Sequence, residues 1–200
     1  MNKCITATIM TITTVLLVAG CSSSPQAKFY TLNPLPASVA PTTTDNTMVA
    51  IKIGPVTIPD ALDQPQIVTR TGANTLKLAE FHRWGSTLQD DLARILGENI
   101  AILLPTNRIT LSQEITLLPI DYQVIVNIRE LGGELGGTVT LNADWLIKPS
   151  KDKPVTANKS VLQETAASAN YRDFVAAQSR LLAKLSREIT DAIKQQMATP

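Results

Sequence analysis

Few side chains in this sequence combine reactivity with a useful spacing. Asp60 and Asp63 stand three residues apart between Pro59 and Pro65. Two carboxylates so placed could share acid and base roles, but an Asp-rich turn between prolines explains them equally, with side chains bonding backbone N–H groups. Asp90 and Asp91 follow one another where a helix is expected to begin, and negative charge is favourable at that end. His82 is the single histidine, and no cysteine lies near it to complete a metal site. As a general base it would need a partner that sequence cannot place; a surface or strand-end role needs none. Trp84, between Arg83 and Gly85, suits either the core or a partner surface, whereas Trp145 falls in phase with an apolar strand face. No G-x-S-x-G, phosphate loop or ordered dinucleotide fingerprint occurs. The chain reads as a non-enzyme, with no catalytic residue, cofactor or metal implied.

One residue type and spacing does point to chemistry. Cys21 closes the run Leu17-Val18-Ala19-Gly20-Cys21. A thiol can form a thioether with a diacylglyceryl group, and small Ala19 and Gly20 leave the bond between Gly20 and Cys21 open to a peptidase. The run resembles the lipobox of bacterial lipoproteins; the other reading is an ordinary signal peptide whose cysteine happens to follow Ala-Gly. Upstream, Lys3 supplies a positive start and Ile5 to Val18 carry no charge. That stretch is shorter than the ~20 apolar residues a spanning helix needs, and threonines dilute it. It reads as a cleavable signal. By resemblance to bacterial lipoproteins, Cys21 would bear three acyl chains, palmitate among them. Ser22 stands where Asp would signal inner-membrane retention, which favours the outer membrane of a Gram-negative cell, facing the periplasm.

Composition narrows the rest. The 200 residues are 44% hydrophobic and 18% charged, enough apolar material for one packed core. Lys and Arg number 18 against 17 Asp and Glu; loss of Lys3 with the signal leaves the two signs balanced. Nucleic-acid binding usually demands a basic excess, so it is not expected here. Two cysteines and one histidine cannot make a Cys₄ or Cys₂His₂ zinc site. Cys4 departs with the signal and Cys21 is occupied by lipid, leaving no disulfide.

The elements that must position these residues divide the chain into a signal at 1–20, a lipidated tether at 21–27 and one domain at 28–200. Strands are predicted at 28–32, at 48–53 closed by Gly54-Pro55, at 66–70 and at 76–80, with a Pro/Thr-rich loop at 33–47. Ser86 is predicted to cap a helix, with Gln89 completing a capping box. Leu88, Leu92, Ile95 and Leu96 form its apolar stripe. Gly97 and Asn99 are expected to end it, with residues 100–104 returning to strand. Two strands alternate clearly, at 120–129 and 138–147, joined through LGGELGG. A further strand is expected at 155–165, then a helix from Tyr171 to Met197 with Phe174, Leu181, Leu185, Ile189 and Ile193 on one face. These predict an α/β (α+β) two-layer sandwich, a mainly antiparallel sheet covered by two helices.

Several blocks also resemble a known family. FYTL at 29–32, IPDALDQPQIVTR at 58–70, Arg83-Trp84, the pattern L-x-x-D-L-x-R-I-L-x-E-N from Leu88 to Asn99, and ADWL at 143–146 are similar to the ABC-type transport auxiliary lipoprotein (PqiC-like) family. Two departures stand out: Gln64 where the family usually has Arg, and Gly-Ser-Thr-Leu after Trp84 instead of Ala-Glu-Pro-Leu. The resemblance implies an outer-membrane lipoprotein accompanying MCE-domain proteins and ABC or Pqi-type components in lipid transport between membranes. It would dock the periplasmic assembly without turnover, and a homo-oligomeric ring would suit such a partner. Asp60, Asp63, Arg70, Arg83 and Trp84 are the candidate partner contacts. The rival role is envelope assembly, acting on an outer-membrane barrel protein or a peptidoglycan synthase; a hydrolase using Asp60, Asp63 or His82 is a third.

Overall fold

The computed structural model describes residues 25–36, 49–104, 106–114, 119–150 and 154–198. Gly20, Cys21 and the signal lie outside the described residues, as does most of the Pro/Thr-rich stretch.

Alternating apolar residues build a five-stranded sheet. Its strands are β2 (Ile51–Thr57), β5 (Ile109–Leu111), β6 (Tyr122–Gly133), β7 (Thr138–Pro149) and β8 (Thr156–Thr165), in the order β5-β2-β6-β7-β8. The β6-β7-β8 half is antiparallel, while β2 runs parallel to both its neighbours. One face buries Ile51, Ile53, Val124, Val126, Leu141 and Trp145. Helices α1 (Leu88–Leu103) and α2 (Tyr171–Ala198) cover that face with Leu92, Ile95, Phe174, Leu185 and Ile189, all fully buried. Each such side chain contributes about 1.5–3 kcal/mol on leaving water. The Trp145 indole N–H is satisfied by the Ser160 hydroxyl at 2.8 Å.

The two-layer α+β arrangement therefore holds, with an addition. Strands β1 (Lys28–Tyr30), β4 (Thr75–Trp84) and β3 (Gln66–Gly72) form a separate sheet ordered β1-β4-β3. β1 runs parallel to β4 and pairs Lys28 with His82, Phe29 with Arg83 and Tyr30 with Trp84.

Three local expectations are corrected. Gly54-Pro55 does not close β2; the strand continues to Thr57 through a register shift between Ile53 and Val56. Gly54 adopts φ +108°, and a Cβ there would lie 2.7 Å from the Ser112 Cβ, so this irregularity belongs to glycine. The cap of α1 is Thr87, not Ser86: its hydroxyl oxygen accepts from the Asp90 N–H. Gln89 instead donates to the Val56 carbonyl at 2.7 Å and ties the helix to β2. Finally, α1 runs on through Gly97 and Asn99 to Leu103 instead of giving way to a strand. Gly97 lies against β5, where a Cβ would meet Ile109 Cγ2 at 3.2 Å. The glycine there serves close packing, and the helix outweighs its propensity cost.

Candidate functional site

The segment after β1 has no ladder partner, and three side chains supply its hydrogen bonds. The Leu32 N–H donates to Asp91 Oδ2 at 2.7 Å, Asn33 N–H to Ser179 Oγ at 3.1 Å, and Leu35 N–H to Asn99 Oδ1 at 2.7 Å. Asn99 also donates to Ser186 Oγ at 3.2 Å, so one amide joins this segment, α1 and α2. Asp91 pairs with Arg94, whose guanidinium reaches the Leu32 carbonyl at 3.2 Å and Glu98 at 2.8 Å. The sequence pattern makes Asn99 an expected helix end, whereas the structure makes it a buried tie between layers. A signal was present, because Asp91, Ile95 and Asn99 recur at four-residue spacing on one helix face. Polar residues within an apolar stripe mark buried, bonded groups.

The segment's position fixes the neighbouring aromatic cluster. The Tyr30 hydroxyl lies 2.7 Å from His82 Nδ1, and His82 stacks on Tyr171 with centroids 4.0 Å apart. His82 thus joins β1, β4 and the first residue of α2. Burial lowers its pKa below the ordinary imidazole value, and Lys28 adds to the effect. Burial raises the Tyr30 pKa, opposed by Arg172. These contacts make His82 a packed strand-end residue.

The residues expected at a partner surface are spread along the three-stranded sheet and the turn that leads into it. The Trp84 N–H donates to the Pro65 carbonyl at 2.9 Å, bringing the Arg83-Trp84 junction to the end of the Pro59–Pro65 turn. That turn is held by backbone bonds from Leu62 N–H to the Pro59 carbonyl (2.9 Å) and Asp63 N–H to the Asp60 carbonyl (3.2 Å). The Asp60 and Asp63 carboxylates are not its fasteners; both residues are exposed. Arg70 sits at the far end of β3, 3.5 Å from Glu130 and donating to the Ala73 carbonyl. It borders a pocket of about 90 Å³ with Pro59, Leu62, Val68, Leu76 and Glu130. Arg83 is exposed. Trp84 is not a surface residue: at 6% exposure it belongs to the core, and its ring offers no face to a partner.

No three His, Cys, Asp or Glu side chains gather as a metal site among the described residues, and no described helix is long and apolar enough to cross a membrane. The region offers exposed charge around a small crevice, suited to contact. A family model described as an ABC-type transport auxiliary lipoprotein component matches residues 30–190. The chain belongs to this family.

Membership makes the protein an auxiliary lipoprotein component of an ABC-type transport system. Two solved structures share its fold. Protein XCC0632 from Xanthomonas campestris, described as a DUF330 protein, is 15% identical with a TM-score of 0.70; the match covers 87% of this chain and all of that one. A crystal structure of an uncharacterized protein is 19% identical with a TM-score of 0.67, over 84% of this chain and 99% of that one. No curated protein matches this chain.

Proposed function

We propose that this chain is a lipoprotein anchored through Cys21 in the outer membrane, facing the periplasm. There it docks the MCE-domain assembly of an ABC or Pqi-type lipid transport system, and it does so without chemical turnover. The observation that carries this reading is the family match over residues 30–190 directly behind a lipobox-like Leu17–Cys21 run. Two or more acyl chains at ~0.8 kcal/mol per buried CH₂ make a stable anchor. The short tether keeps the domain near the bilayer. Asp60, Asp63 and Arg70 offer charged contacts around the crevice for the partner, and a homo-oligomeric ring would match an oligomeric MCE assembly.

Cross-linking the full-length lipoprotein in its native envelope, followed by mass spectrometry of captured proteins, tests the proposal. Capture of an MCE-domain protein is the expected result. Capture of a barrel protein or peptidoglycan synthase, with no MCE protein despite its confirmed expression, overturns it in favour of envelope assembly.

A further inference from the structure

The tether enters the fold at β1, the edge strand of the three-stranded sheet. Seven residue steps separate Cys21 from Lys28, a reach of about 25 Å at full extension. Whatever lies beside β1 is therefore close to the anchor point. Register places Arg83 directly beside Phe29, about 4.8 Å across the ladder. Phe29 is the most exposed large hydrophobic residue among those described, at 68%. Arg83 is exposed, and partnered side chains on adjacent strands share a sheet face.

More positive charge gathers at the same end. Lys28 begins β1 beside His82, on the opposite sheet face from Phe29 and Arg83, and Arg172 in the first turn of α2 acts electrostatically on Tyr30 of that same face. Lys28, Arg83 and Arg172 are all exposed, and none belongs to an ion pair among the described residues. The turn carrying Asp60 and Asp63 enters the sheet through β3, at the opposite edge from β1. An edge strand with an exposed aromatic ring and a cation on one face and two cations on the other suits the membrane interface, where the ring enters the headgroup–acyl boundary and the cations meet an anionic surface.

We infer that Phe29, with Lys28, Arg83 and Arg172, is a second membrane contact that lays the β1 edge of the domain against anionic phospholipid. The inference rests on the Cys21 anchor proposed above. It turns Arg83 towards the bilayer and leaves the β3 edge, with its crevice, for the protein partner. The lipid anchor then holds the domain in one orientation instead of at the end of a free leash.

The test uses the full lipidated chain carrying Phe29→Trp, reconstituted into phosphatidylglycerol-containing vesicles with brominated acyl chains. The parent chain, with its buried Trp84 and Trp145, provides the background. The expected result is a blue shift and a loss of emission beyond the parent's. Adding Lys28→Glu, Arg83→Glu and Arg172→Glu should reverse both, with an unchanged circular dichroism spectrum. Parent-like emission on a chain whose mass shows an acylated Cys21 overturns the membrane contact and leaves the anchor standing. An unacylated Cys21 overturns both. A blue shift that depends on protein concentration and not on vesicles assigns Phe29 to a second copy, and also overturns the inference.

Discussion

Asp91, in the first turn of α1, accepts a 2.7 Å hydrogen bond from the backbone N–H of Leu32, 59 residues earlier in the chain. Asp91 is 3% exposed, so water cannot replace this acceptor once it is removed. The carboxylate also accepts from the Thr31 hydroxyl and pairs with Arg94. It fastens the segment after β1 to the helical layer, together with Asn99 and Ser179.

Asp91→Ala should therefore destabilise the fold by about 3 kcal/mol, since it leaves a buried N–H unpaired and breaks an ion pair. Asp91→Asn retains an acceptor for Leu32 and should lose less. Urea denaturation of the two variants checks the order; equal losses would assign the effect to charge alone.

The β6–β7 connection makes a sharper contrast between adjacent glycines. A Cβ on Gly133 would collide with the Thr138 carbonyl, whereas one on Gly132 meets nothing within 4 Å. Gly133→Ala should cost about 2 kcal/mol through forced backbone displacement. Gly132→Ala should leave the thermal midpoint nearly unchanged, and melting curves of both variants decide the matter.

His82 should titrate below the ordinary imidazole value of about 6.5. The unfolded chain then takes up its proton at a higher pH than the folded one. The stability so contributed is complete above about pH 6.5 and declines as pH falls through that value towards the folded pKa. Nitrogen-15 NMR of the imidazole reads the pKa directly, and His82→Phe should flatten the stability profile in this window. A folded value above 6.5 would contradict the half-buried, desolvated placement of the ring.

Glu164 behaves in the manner of a paired carboxylate. Lys184 at 2.7 Å and Arg180 at 2.8 Å lower its pKa, joining β8 to α2. The stability from this pairing is present above the ordinary carboxylate pKa and is lost as pH falls through the lowered one. Glu164→Gln should lower stability at neutral and alkaline pH, leave it nearly unchanged in acid where Glu164 is already protonated, and so flatten the acid-side decline, as measured by denaturation across the pH range.

Much of this architecture was legible from residue order. Period-two alternation around Val124 and Leu141 and the stripes through Leu92 and Phe174 each specify a buried face, because side-chain direction follows backbone period. The lipobox-like Leu17–Cys21 run is equally local, since residue type and order alone define it. The family blocks were legible too, and the match over residues 30–190 agrees with them.

What sequence could not decide were relationships between distant segments. Nothing in the order of residues says that Phe29 lies beside Arg83, that Trp84 closes on Pro65, or that strands β1, β3 and β4 leave the main sheet. Thr87 over Ser86 as the helix cap, and the persistence of α1 through Gly97, were likewise settled by β2 and β5 packing against the helix. Local patterns fix which face of an element is apolar. Which elements meet depends on burying those faces together while every interior polar group, Asp91 and Asn99 among them, keeps a partner, and only the assembled fold satisfies both conditions.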